Sequence, residues 1–294
     1  MVSDFAKLGD RVAADAVVDL KADEADFNDI QSAIDSLQST GGSVYVRDGT
    51  YHIDSTIALY SNLRLLFSKG AELILDSDII AVEMDNVENV EIIGLNLDLN
   101  NKNETNAGIR IANNSKNILL TKAQIKNGAQ LGIGIYSSSF MNIERSYINN
   151  VEESAIYAEQ SSHLIIENNK IENIQSGKGI EFSTVSQSKI INNFIENCGS
   201  DGIHLLSSDH IQVIGNHSKN NADNGIALKT NSSSNLISNN LCFDDQDTKT
   251  QKYGINIIDS SCSWNTVALN WLLQNLTAGF QDLGTNTGIG HNRI

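Results

Sequence analysis

Short runs of alternating apolar and polar residues, such as "HLIIENNKIEN" (163–173) and "GIEFS" (179–183), fill the chain from Ala107 onward and are broken by Asn, Ser and Gly. A period of two marks half-buried strands, and the breakers are turn formers, so each run predicts a short strand between tight turns. The runs recur. Aligned on "DGIHL", the segments "AGIRI", "LGIGI", "SAIYA", "KGIEF", "NGIAL" and "YGINI" place a Gly or Ala at 108, 132, 155, 179, 202, 225 and 254, with spacings of 24, 23, 24, 23, 23 and 29. Asn127, Asn150, Asn173, Asn197 and Asn220 keep the same step, as do Asn169, Asn193, Asn216 and Asn240.

A unit of this size cannot bury its apolar face alone. Stacking like strand on like strand, roughly 4.8 Å apart, creates one continuous core and predicts an all-β fold, a parallel β-helix. Asn side chains stacked at the turns then hydrogen-bond along the stack, a structural role. Two polar stretches interrupt the period, "NNKNETN" (100–106) and "DDQDTKTQK" (244–252), and read as solvated loops bulging from a coil. Asp244, Asp245 and Asp247 carry oxygen ligands of the kind calcium takes, without matching a known calcium loop.

Residues 26–38, "DFNDIQSAIDSLQ", change period. Phe27, Ile30, Ile34 and Leu37 share one helical face, and "TGG" follows as a stop. The expected organisation is a single domain over 1–294, with residues 1–42 as an N-terminal cap containing this helix and 43–294 as stacked coils. Such a helix covers the end of the stack, where an open edge would recruit other strands.

Charge narrows the partners. The 294 residues carry 36 acidic and 20 basic side chains, a net charge of −16, and no basic stripe, which argues against nucleic acid or an anionic membrane. No run reaches the ~18 apolar residues of a membrane span, and no secretion signal is expected at the N-terminus. Cys198, Cys242 and Cys262 are too scattered for a disulfide framework or a zinc site and are expected to be small buried residues, so no structural metal is expected.

Alternation also sorts the chemistry. With Ile180, Phe182, Ile203, Leu205, Ile226 and Leu228 pointing inward, the intervening residues form two outward columns. One is Arg110, Gly134, Tyr157, Glu181, His204, Ala227 and Asn256; the other is Ala112, Tyr136, Glu159, Ser183, Leu206, Lys229 and Ile258. Tyr157, Glu181, His204 and Glu159 form a candidate catalytic set for acid–base work on a sugar chain, with Tyr136, Arg110 and Lys229 as substrate-binding candidates. The same residue types are also ordinary on an exposed sheet face. Asp201, Asp209 and His210 are expected to be turn residues.

The stretches "DFAKLGDRV", "FNDIQSAIDSLQSTGGSVYVRDGTYHI" and "SNLRLLFSKGAELIL" resemble the N-terminal portion of pectate-lyase-like right-handed β-helix proteins, a superfamily that includes polysaccharide lyases, polygalacturonases, mannuronan epimerases and phage tailspikes. The family usually has prolines before the Gly-Thr-Tyr, where this chain has Arg47 and Asp48. The resemblance implies a single-stranded right-handed parallel β-helix, a polysaccharide or oligosaccharide partner, a monomer or homotrimer, and an extracellular or virion-associated setting. The layout is nearest to mannuronan epimerases, whose catalytic Tyr-Gly-Phe-Asp-Pro-His falls on Leu131, Gly132, Ile133, Gly134, Ile135 and Tyr136, so that motif's Tyr, Asp and His have no counterpart here. Lyase, epimerase and glycosidase chemistry stay open. In a glycosidase Glu181 and Glu159 would be acid and base; in a lyase or epimerase Tyr157 or His204 would move the proton at C5, with Lys229 or calcium neutralising the uronate. A non-catalytic glycan-binding or tailspike-like adhesive protein, or a bare scaffold, are the alternatives.

Overall fold

The computed structural model describes residues 14–20, 25–102, 106–128 and 130–294. The "DFAKLGDRV" stretch and residues 103–105 of the 100–106 loop lie outside the described residues. Among the described residues three sheets run along the stack, of 12, 10 and 9 strands. The first begins at Ala16–Val18 and ends at Gly288–Ile289, the second runs from Ile57–Ala58 to Ala278–Asp282, and the third from Gly49–Ile53 to Leu241–Phe243. Successive coils pair in parallel with the expected register, as in Ile133 to Ile156, Ile156 to Ile180, Ile180 to Ile203 and Ile203 to Ile226.

That register stacks isoleucine on isoleucine. Ile133, Ile156, Ile180, Ile203, Ile226 and Ile255 are all fully buried, and Phe182, Leu205 and Leu228 fill the adjacent column. Coils approach so closely at the aligned glycines that a Cβ on Gly202 would meet Ser218 Oγ at 2.0 Å and the Gly225 carbonyl at 2.8 Å. Gly202→Ala is therefore expected to destabilise by about 1–3 kcal/mol through overpacking, read as a lower midpoint of urea unfolding. An unchanged midpoint would mean the coils have slack there.

The helix is shorter than the pattern suggests. It spans Ile30–Ser36, with Asp29 as N-cap accepting from Ser32 N at 2.7 Å, and it buries Ile30, Ala33 and Ile34. Phe27 instead gives its backbone to the first strand, its N–H to Val17 O and its carbonyl to Asp19 N, which removes residues 26–28 from the helix. Gly41 N–H returns to Leu37 O at 2.8 Å and closes the C-terminal end.

The two asparagine columns differ in kind. Asn169, Asn193, Asn216, Asn240 and Asn270 are buried, each amide donating to the Oδ1 of the next coil's amide, and Asn292 ends the series. Asn127, Asn150, Asn173, Asn197 and Asn220 lie at the surface with φ between 56° and 58°. Asn tolerates this left-handed conformation better than other non-glycine residues. A further left-handed column, one residue per coil, lies at the edge of the first sheet: Asn62, Asn89, Asn117, Phe140, His163, Gln187, His210, Ser234, Trp264 and Asn286. All ten are exposed.

The 244–252 stretch is not merely a solvated loop. Asp244 is fully buried and accepts backbone N–H groups from Gln246, Thr250 and Gln251, so its oxygens are committed to shaping the loop. Asp245 pairs with Lys219 and Asn220. All three cysteines are buried and free.

Candidate functional site

The outward columns of the second sheet exist as ladders. Arg110 stands beside Gly134, Gly134 beside Tyr157, Tyr157 beside Glu181 and Glu181 beside His204; Tyr136 stands beside Glu159, and Leu206 beside Lys229. Five members of these columns are buried, Gly134, His204 and Asn256 as well as the two alanines. Ala112 and Ala227 are buried because a methyl group is too short to rise past longer neighbours such as Asp85, His204 and Asn256.

A cleft of about 440 Å³ opens over this sheet, with Tyr136, Tyr157 and Glu181 in its floor and Glu153, Ser154 and Lys178 in its wall. Tyr136 folds across Gly134, where a Cβ would meet its ring at 2.7 Å. That places the Tyr136 and Tyr157 rings 5.8 Å apart at 53°. Arg110 lies 5.9 Å from the Tyr136 centroid, but its guanidinium is already held by Glu83 at 2.6 Å. Burial, reinforced by the Glu159 and Glu181 carboxylates, pushes the Tyr157 phenol up to about 12. Burial also raises Tyr136. Both phenols are therefore protonated donors at neutral pH.

Glu181 has both oxygens engaged, Oε1 by Lys178 Nζ at 3.0 Å and Oε2 by Ser154 Oγ at 2.9 Å. His204, only 8% exposed, directs Nδ1 at Asp201 Oδ2 at 2.6 Å. The carboxylate can only accept, so Nδ1 is the donor in this contact. Asp201 is 3% exposed, and its other oxygen accepts from Asn224 N and Nδ2 at 3.1 and 2.6 Å. Its role is thus to hold an imidazole as well as to turn the chain, which corrects the expectation of a plain turn residue.

The residues that sequence reasoning missed share one offset. Ser154, Lys178, Asp201 and Asn224 each stand three positions before a column residue, the first three in the turn that precedes the strand and Asn224 as the first residue of its strand. From there Lys178 and Asp201 reach back over Glu181 and His204. The 23-residue step from Lys178 to Asp201 carried this signal, had the turns been aligned along with the strands. Of the four, Ser154 and Lys178 line the cleft, whereas Asp201 and Asn224, like the predicted site residues His204, Glu159, Arg110 and the exposed Lys229, lie outside its lining. Lys178 is the ammonium group that contacts Glu181. Among the described residues no group of three or more His, Cys, Asp or Glu side chains is placed to hold a metal.

The family described as right handed beta helix region matches residues 79–177 and 131–294. The chain belongs to that family. This β-helix also superposes on solved structures at low identity. They include ORF18 of Geobacillus virus E2 (16% identity, TM-score 0.73, 89% of this chain and 56% of that one) and the tailspike of Escherichia coli bacteriophage HK620 (13%, 0.70, 89% and 58%). The A-module of the Azotobacter vinelandii mannuronan C-5 epimerase AlgE4 also superposes (15%, 0.69, 90% and 92%). At such identities the likeness of these β-helix chains is one of fold. No curated protein matches the sequence significantly.

Proposed function

We propose that this β-helix acts on a polysaccharide laid along the second sheet, and that the chemistry is proton transfer at a sugar carbon next to a carboxylate. The buried Asp201–His204 pair, one rung after Glu181 and two after Tyr157, carries this reading. His204 Nε2 takes the C5 proton, Asp201 stabilises the resulting imidazolium, and Tyr157 supplies a proton from its phenol. Delivered to C5 from the other face, that proton completes an epimerisation; delivered to the departing O4, it completes a β-elimination. Lys178 is the cation in the cleft wall for the uronate carboxylate, and Tyr136 a ring against which a pyranose packs.

Glycosidase chemistry is less favoured, because a general acid must give up a proton and both Glu181 oxygens already accept hydrogen bonds. The second reading, binding without turnover, is favoured by the Tyr136–Tyr157 ring pair, which is complete as a stacking platform on its own. A panel of polyuronates and neutral glycans, incubated with and without calcium, separates the readings. Proton transfer predicts new ultraviolet absorbance from unsaturated ends, or a changed epimer ratio by NMR. Reducing ends without unsaturation would mean hydrolysis, and binding without any product would leave an adhesive role.

A further inference from the structure

The left-handed column at the edge of the first sheet changes character part-way along. Asn117 Nδ2 donates to Asn89 Oδ1 at 3.1 Å and Asn89 Nδ2 to Asn62 Oδ1 at 2.9 Å, a ladder that relieves a strained conformation with the residue best suited to it. The next rung is Phe140, with φ 56° and 53% exposure. A bulky ring is poorly suited to this backbone, and here it gains little from burial. It stacks on His163 of the following coil, centroids 4.5 Å apart and planes at 22°, so two flat rings stand side by side above the sheet.

These rings border a groove of about 880 Å³ on the first sheet, separate from the cleft on the second. Asn89 and Asn117 continue its wall, and Arg64, Glu91, Leu119 and Asn142 are among the residues of its floor. Arg64 and Glu91 neutralise each other at 2.9 Å, leaving a lining close to neutral on a chain of net charge −16. Asn142 Oδ1 is buried without a hydrogen-bond partner. The strands beneath, from Leu63–Phe67 to Ser162–Glu167, are paired on both sides, so a peptide finds no edge there to extend.

We propose that this groove is a second glycan site, for a neutral pyranose chain lying across the coils. Amide side chains suit hydroxyl groups, the Phe140 and His163 rings suit the C–H face of a sugar, and a rung spacing of roughly 4.8 Å offers one such contact per step. The site stands independently of proton transfer at His204.

The test follows the His163 ring protons by NMR while the protein is titrated with cellohexaose, xylohexaose, maltohexaose and hexamannuronate. At least one neutral hexasaccharide is expected to shift them, more strongly than hexamannuronate. Phe140→Asn, which keeps the left-handed backbone and extends the asparagine ladder, is expected to hold or raise the melting temperature and weaken binding at least tenfold. Phe140→Tyr should retain binding, and Tyr157→Phe in the other cleft should leave it unchanged. No response to any neutral hexasaccharide, a preference for hexamannuronate, equal binding by Phe140→Asn, or unfolding of that variant would each overturn the proposal. None of these results bears on turnover at His204, so the two sites fail separately.

Discussion

Replacing Asn193 by alanine is expected to lower the unfolding free energy by about 3–4 kcal/mol, among the largest effects of any single change in this chain. Asn193 is 1% exposed, and its amide has four partners. Its Nδ2 donates to Asn216 Oδ1 at 3.0 Å and Ile166 O at 2.8 Å, while its Oδ1 accepts from Asn169 N and Asn169 Nδ2, both at 3.0 Å. Alanine leaves these groups buried and unpaired, in the middle of a ladder. Asn197, at the surface with φ 56°, is the control. There alanine should cost only about 1 kcal/mol, from left-handed backbone strain, and glycine close to nothing. Urea denaturation of the three variants checks the contrast, and similar losses at 193 and 197 would refute the distinction between the columns.

The second large effect concerns turnover. His204→Gln is expected to reduce the rate by about 10²–10⁴-fold, the range a positioned general base contributes, with substrate affinity little changed. Glutamine keeps a hydrogen-bonding group near Asp201 but cannot take the proton. Tyr157→Phe removes the phenol that burial and Glu159 hold in its protonated form, and should slow the same reaction. Glu181→Gln separates the chemistries. A glycosidase relying on Glu181 would lose turnover altogether, whereas in the proton-transfer scheme the change acts through the loosened Lys178 contact and is milder than His204→Gln. Initial rates on whichever polyuronate the panel identifies decide the order. A His204→Gln enzyme with unchanged rate would place the chemistry elsewhere.

The strand register follows from the sequence because each coil repeats the one before it. Once Ile180, Ile203 and Ile226 are aligned, parallel stacking and a period of two leave one face for Tyr157, Glu181 and His204, and the structure has them there. The shortened helix shows the limit of such reading. Phe27 fits the helical face by spacing, yet its backbone is claimed by the strand at Ala16–Val18, a partner ten residues away in sequence that no local period announces.

By itself, then, the repeat determined the solenoid, its inward isoleucine stacks and the outward columns, since all three are consequences of periodicity acting on stacked strands. Only the tertiary structure decided what the turns contribute. Lys178 and Asp201 sit outside the alternating segments, and their reach over Glu181 and His204 depends on how each turn folds back across its own strand. The same holds for the asparagines. Two columns with one spacing differ because one set of amides turns inward to pair with buried carbonyls while the other lies at the surface in a left-handed backbone, and the direction of a turn is set by packing that residue type alone does not encode.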